Sequence, residues 1–270
     1  MLNRLYPFIK ITVLDGIRNK VIMGIIMLSI ISGISNVVIT NLAAQDVGKV
    51  AIDFEISSFS LMGLFVILFA CGGSLYRDID KKTVALALSR AISRKEYIVC
   101  RYLGYLITIL FVVVISTIIG LVTLYLIKIL HPNHFDQNFS GVMIAHIFAF
   151  LSFSMMLSVL IFFSSMTTSS FTALLLTIMV YFIGNSIGDL RDFAESQASI
   201  AAGFPESFRF ILRVVHFIVP DLSKFDLKVF AANSLPLDGN FITFSVAYAV
   251  VYCAILLLLS MKVFERREFI

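Results

Sequence analysis

Long apolar runs recur along the whole chain, and polar residues collect in the short stretches between them. Six runs are long enough to cross about 30 Å of hydrocarbon as helices: 21–40, 57–76, 102–127, 142–164, 171–187 and 241–263. The polar–apolar alternation of membrane strands is absent, so the runs read as helices rather than staves of a barrel. The fourth and fifth are parted only by the polar link 165–170, which makes their shared boundary the least defined.

Two other stretches are amphipathic. Leu2, Leu5, Tyr6, Ile9, Val13 and Ile17 recur at helical spacing opposite Asn3, Arg4, Lys10 and Arg18, the pattern of a helix lying in the membrane interface. Pro7 falls in its first turns, where it costs little. Within 205–219, Phe208, Ile211, Leu212, Val215 and Val219 share one side and Arg209, Arg213 and His216 another, bracketed by Pro205 and Pro220. Too short and too charged to span, this stretch is expected to be an interfacial or re-entrant helix inside the long outer segment 188–240, which opens with Asp189, Asp192 and Glu195. Those acids suit either an attraction for cationic substrate or plain solvated loop charge.

Composition sharpens the class. The chain is 59% hydrophobic and 14% charged, where a soluble domain carries about a quarter charged residues. The expected fold is an all-α polytopic membrane protein, one transmembrane domain over 1–270 with six transmembrane helices. Its 26 Phe and absent Trp suit lipid-facing or cavity-lining surfaces.

Charge then sets orientation. Of the 21 Lys and Arg, fourteen lie on the side of the N-terminus, the 77–101 loop and the C-terminus, and seven on the other. By the bias of basic residues toward the inside, both termini are expected to be cytosolic. The tripeptide Leu42-Ala-Ala44 weakly resembles a signal cleavage site, but five more spans follow, and the first is read as retained. The net charge of +4 reflects this topology rather than a nucleic-acid partner. Cys71, Cys100 and Cys253 are scattered without metal-ligand spacing and are expected to be free thiols.

Seven of the basic residues sit in the 77–101 loop alone. Asp80 is placed to cap a short helix on which Val84, Ala87, Leu88 and Ala91 form an apolar stripe. Ser93-Arg-Lys-Glu96 has capping-box spacing, so a fresh helix is expected to start near Ser93 and run into the third span. These features fit an ordinary positive-inside loop with capped helix ends, and equally a docking element.

The string Asp78-Ile-Asp-Lys-Lys-Thr83, then Leu88-Ser-Arg-Ala-Ile-Ser-Arg94 and Glu96-Tyr97, resembles the cytosolic loop of the type-2 ABC transporter permeases. There an acidic residue and Thr precede a Leu-Leu-Ser-Arg-Pro-Ile-Ser-Arg core, followed by Glu-Tyr and a Gly, the place held here by Gly104. Ala91 replaces the usual Pro, and Lys82 stands where Gly commonly precedes Thr. The resemblance implies that the loop carries a short coupling helix between spans two and three. That helix would insert into a separate ATPase subunit through Asp80, Thr83, Val84, Leu88, Ser89, Arg90, Ser93, Arg94, Glu96 and Tyr97. It also implies a connecting helix over 1–20, two ATPase copies carrying ATP and Mg, a second permease copy (a homodimer), export rather than import, and residence in a bacterial plasma membrane. No cofactor is expected on the chain itself.

Enzymatic motifs are missing: there is no G-x-x-x-x-G-K-[ST], H-E-x-x-H or G-x-S-x-G. The chain is therefore expected not to be catalytic itself. His131 and His134, three apart and near Asp136, are a faint metal pattern; no metal site is expected. His146 falls within a span, where an ionisable side chain faces either a cavity or a hydrogen-bonding neighbour helix. Ser152, Ser154 and Ser158 are read as continuing its face, and His146, Ser154 and Asn185 are candidate pathway residues. The pairs Ser29/Gly33, Gly72/Gly73 and Gly184/Gly188 read as close-packing seams. Three functions compete: the permease of an ATP-driven transporter, with its first, second and fifth spans facing the pathway; an ATP-independent secondary transporter; or a membrane anchor for another complex. The second calls for paired ionisable groups within spans, and the sequence reads as having almost none.

Overall fold

The structure, a computed structural model, describes residues 2–43, 46–73, 93–135, 138–167, 169–195, 214–216 and 218–266. Within them are α1 (Leu2–Ile17), α2 (Lys20–Leu42), α3 (Val47–Phe65), α4 (Arg94–Leu130), α5 (Phe139–Met166), α6 (Ser170–Glu195), the single turn α7 (Lys228–Ala232) and α8 (Gly239–Glu265). The last turns of α3 widen into a π-helical stretch, Val66–Gly72. Six helices, α2 to α6 and α8, are long and apolar enough to cross a membrane. The expected fourth and fifth spans are separate helices, broken between Met166 and Ser170.

Local chemistry explains the starts. Asn19 accepts from the Val21 amide at 3.1 Å and Asp238 from the Asn240 amide at 3.2 Å, opening α2 and α8. The capping box at α4 is complete: Ser93 Oγ accepts from Glu96 N at 3.2 Å, and Glu96 Oε2 accepts from Ser93 N at 2.9 Å. At about 1.5 Å per residue the 37-residue α4 is ~55 Å long, far more than a bilayer core, so its ends extend beyond the hydrocarbon.

Burial ranks the helices. In the most apolar window of α3 and of α5, 61% of residues are buried, against 22% for α2 and 17% for α8. Thus α3 and α5 form the centre, with α2, α4, α6 and α8 presenting large apolar side chains outward. Between the helices, small residues set the spacing. Gly63 of α3 lies flat against the Phe153 ring of α5. A Cβ at Gly33 of α2 would fall 2.6 Å from Thr123 Oγ1 of α4, and one at Gly72 would fall 2.7 Å from Leu174 of α6.

Three expectations shift. The second span begins at Val47, not at residue 57, which takes Asp53 and Glu55 into the helix. Lys49, Asp53 and Glu55 interrupt the apolar run, but the helix tolerates Glu55 because a partner waits on α5. Next, α1 adds a docking contact on α4 that its amphipathic pattern does not show. Tyr6 is 65% exposed, while Thr12 and Gly16 are buried against Gly104 and Thr108 of α4. A Cβ on Gly104 would lie 2.6 Å from Thr12, so docking follows close backbone approach. Pro7 sits one turn further in than the first, removing one internal hydrogen bond from an exposed stretch.

The third shift concerns 188–240. Asp189, Asp192 and Glu195 end α6 rather than open a loop. Most of the expected 205–219 helix lies outside the described residues. Beyond it the chain turns back into the bundle: Leu222 N donates to Gly184 O at 3.0 Å, and Leu222, Phe225, Leu227 and Ala231 are buried. Gly184 and Gly188 make room for Pro220, Leu222 and Ser223. Asp221, 3% exposed, is held by Ser223 Oγ at 2.6 Å and Lys224 Nζ at 3.2 Å. Its amide donates to Tyr248 Oη at 3.1 Å, tying the returning segment to α8.

Candidate functional site

Where the returning segment meets α3, α5 and α6, it leaves a cavity of about 590 Å³. Hydroxyls and an amide dominate its polar lining: Ser57 and Ser60 from α3, Ser152 from α5, Asn185 and Ser186 from α6, and Ser223. Aromatic rings of Phe153, Tyr181, Phe182 and Phe225 supply apolar wall. Charge gathers with the returning segment, where Lys228 Nζ pairs with Asp226 Oδ2 at 3.3 Å, and Asp189 also reaches the lining. Such a mixture suits a polar or amphipathic guest, with an apolar wall and a few orienting hydrogen bonds. Asn185 holds its amide toward the Tyr181 carbonyl at 3.0 Å, which orients it on the α6 wall.

The three candidate pathway residues are not brought together. Asn185 lines the cavity; His146 and Ser154 do not. Ser154 donates to Leu151 O at 2.7 Å and faces Cys253 Sγ of α8 at 3.9 Å. Ser158 is fully buried and donates to Met155 O at 2.6 Å. Of the serines expected to continue the His146 face, Ser152 alone reaches the cavity, because steps of six, eight and twelve residues rotate away from His146 by different amounts.

His146 instead faces α3. Its Nδ1 lies 2.7 Å from the Val142 carbonyl, and its Nε2 lies 3.1 Å from Glu55 Oε1. A carbonyl only accepts, so Nδ1 carries a hydrogen. The contact between Nε2 and Oε1 then needs one further proton, on either atom, or two lone pairs would oppose each other. Imidazole and carboxylate therefore share one proton and are together neutral. Phe59 covers the imidazole edge-on at 4.1 Å. Both side chains are buried, at 3% and 7% exposed. The expectation that the spans hold almost no paired ionisable groups is corrected by this pair. A span drawn from residue 57 leaves Glu55 outside the membrane and so hides the pair.

At the other end of the bundle, the described part of the 77–101 loop locks α4 to the end of α8. Arg94 Nη1 donates to the carbonyls of Glu265 at 2.8 Å and Phe264 at 3.4 Å, and Lys95 pairs with Glu265 at 3.3 Å. Tyr97 stacks on Phe264 with centroids 5.7 Å apart, and Arg101 lies over the Tyr97 ring at 5.4 Å. The guanidinium meets the last carbonyls of α8, where a helix end favours positive charge. Asp80, Thr83, Val84, Leu88, Ser89 and Arg90 lie outside the described residues.

His131 and His134 make local contacts, while Asp136, the third residue of the faint metal pattern, lies outside the described residues. Nε2 of His131 bonds Asn41 Oδ1 at 2.9 Å, and the His134 carbonyl accepts from Gly48 N at 3.2 Å, pinning the α2–α3 turn. Among the described residues no group of three or more His, Cys, Asp or Glu could hold a metal. The three cysteines are free and buried.

Six helices long and apolar enough to cross a membrane, three of which (α3, α5 and α6) line a partly polar cavity, define an integral membrane protein. Residues 28–269 match the family model described as ABC-2 family transporter protein, and the chain belongs to that family, the transmembrane permeases of ABC transporters. No curated protein matches the chain.

Proposed function

We propose that the chain is the permease subunit of an ATP-driven exporter, working as a homodimer with two separate ATPase subunits in a bacterial plasma membrane. Membership of the ABC-2 family carries this reading. The 590 Å³ cavity is then the substrate chamber, with the second and fifth spans (α3 and α6) as walls and Asn185 and Ser152 as orienting groups. The first span, α2, contributes nothing to that lining and is left out of the pathway. Both termini and the 77–101 loop face the cytosol, where the basic residues concentrate. The loop docks the ATPase through Asp80, Thr83, Val84, Leu88, Ser89 and Arg90. Ser93, Arg94, Glu96 and Tyr97 pass its movement into α4 and, through Arg94 and Lys95, into α8. ATP and Mg stay on the partner; α1 lies along the membrane surface beside it.

One observation favours a second reading. The Glu55–His146 pair is the kind of intramembrane ionisable pair that secondary transporters use. Its separation from the large cavity supports the ATP-driven reading instead.

The test is reconstitution of the purified permease with its co-expressed ATPase. Substrate-stimulated ATP hydrolysis is expected to be lost in an Arg90→Ala/Arg94→Ala double variant whose assembly is intact. Binding of the ATPase to a chain lacking 77–101 would refute the coupling role, and gradient-driven flux without any ATPase would support the second reading.

A further inference from the structure

Beside the Glu55–His146 pair, and apart from the large cavity, α2, α3 and α4 line a second, partly open cavity of about 20 Å³. Ser29, Asn36, Glu55, Ser116 and Thr123 contribute to its wall. Two of its polar atoms have no partner: Glu55 Oε2 and Asn36 Oδ1. Both belong to residues more than nine-tenths buried, Asn36 at 1% exposed and Glu55 at 7%. A buried oxygen at membrane depth without a donor is costly, so the orphaned pair calls for an occupant.

The chemistry of the wall states what that occupant must be. Asn36 Nδ2 donates to the Ala51 carbonyl at 2.9 Å, and flipping the amide would set oxygen against oxygen; Oδ1 therefore stands as an acceptor. Glu55 Oε2 is an acceptor whichever of Nε2 and Oε1 holds the shared proton, because Oε1 makes that bond. Thr123 spends its hydrogen on Ile119 O at 2.9 Å and offers only lone pairs. These groups present acceptors, and the two oxygens left without a partner call for a donor or a cation. Size admits one small species, since a water needs about 10–15 Å³ and two to four polar partners. Charge chooses between them. The pair is already neutral, so a monovalent cation would leave a full uncompensated charge inside the bundle. A water molecule brings two donor hydrogens, one for each acceptor, at no charge.

We propose that this cavity is a binding site for a single water molecule, donating to Glu55 Oε2 and Asn36 Oδ1 and so joining the first span to the ionisable pair between the second and fourth. The water makes α2 a structural partner of the pair. It also completes the carboxylate, leaving His146 and Glu55 fully hydrogen-bonded in an apolar surround.

The experiment uses the full-length protein in lipid nanodiscs. A map at near-atomic resolution is expected to show one isolated density within hydrogen-bonding reach of both oxygens; an empty cavity would overturn the proposal. Unfolding of the unmodified protein in sodium, potassium and choline chloride at equal ionic strength is expected to be the same, and stabilisation specific to sodium would overturn water in favour of a cation. Asn36→Leu removes one of the two unpartnered acceptors together with the donor to Ala51 O, and Glu55→Met removes the other together with the oxygen that faces His146. If both lean on the same water, the double variant is expected to be more stable than the two single effects imply, by on the order of fivefold in the unfolding constant. Additive effects would sink the bridge. The salt comparison needs no variant and stands even if the substituted chains fail to fold.

Discussion

Adding one methyl group at Gly120 is expected to break the buried Glu55–His146 pair that packs directly against it. Gly120 lies in the middle of α4, and a Cβ there would collide with Glu55 Oε1, the oxygen bonded to His146 Nε2. Glu55 Cδ and Cγ are also close, at 2.8 and 3.2 Å, so the whole carboxylate end must move. A long exposed side chain would swing aside cheaply. Here the retreat severs the contact to the imidazole, and stripping one partner from a buried pair costs about 3–5 kcal/mol. Against that, Ala exceeds Gly in helix propensity by about 1 kcal/mol. The net expectation for Gly120→Ala is a loss of about 2–4 kcal/mol, read by denaturant unfolding in mixed micelles. Gly24→Ala is the control, because nothing lies within 4 Å of the Cβ position there; it is expected to be neutral or to gain up to about 1 kcal/mol. Combining Gly120→Ala with Glu55→Ala removes the collision, so the pair of changes is expected to cost less than the sum. If Gly120→Ala matched the Gly24→Ala result, propensity alone would govern the site, and the tight seating of Glu55 on α4 would be refuted.

Gly63→Ala is expected to cost about 1–3 kcal/mol by driving a methyl into the Phe153 ring between the two central helices, measurable as a lower thermal midpoint. Thr12→Val keeps the shape that meets Gly104 but discards the hydroxyl that accepts from Arg101 Nη1 at 3.2 Å; a loss of about 1 kcal/mol is expected, with faster proteolysis within α1. Arg94→Ala removes partly exposed contacts to the end of α8 and is expected to shift stability by no more than about 1 kcal/mol. Under the coupling proposal its transport defect exceeds that change, and normal transport would refute the role. Asn185→Leu and Ser152→Phe place apolar bulk in the 590 Å³ cavity. They are expected to slow transport while leaving thermal unfolding near that of the parent chain, and unchanged flux would remove the cavity from the pathway.

The six spans were legible because hydrocarbon imposes one rule on every crossing segment, and runs such as 241–263, whose single charged residue, Lys262, sits at the end, obey it. The Ser93–Glu96 capping box was legible for a similar reason: it is a contact between residues three apart and needs nothing from the rest of the chain. What hydropathy hid was the interior. Glu55 and His146 are 91 positions apart, and each alone lowers the apparent fitness of its segment for the membrane. Only together, with one shared proton, are they tolerable at that depth, so a reading of one segment at a time ends the second span short of Glu55. The Thr12–Gly104 and Gly16–Thr108 contacts escaped for the opposite reason. In water, large apolar residues mark the packed face of a helix. A membrane solvates them as well as protein does, which leaves close approach and hydrogen bonds to decide which faces meet. The same rule explains why Tyr6 points outward while a threonine and a glycine carry the docking of α1. It follows that in this chain the residues most informative about helix contacts are its glycines and hydroxyls, and that Gly63, Gly120 and Gly104 mark the seams more reliably than any leucine.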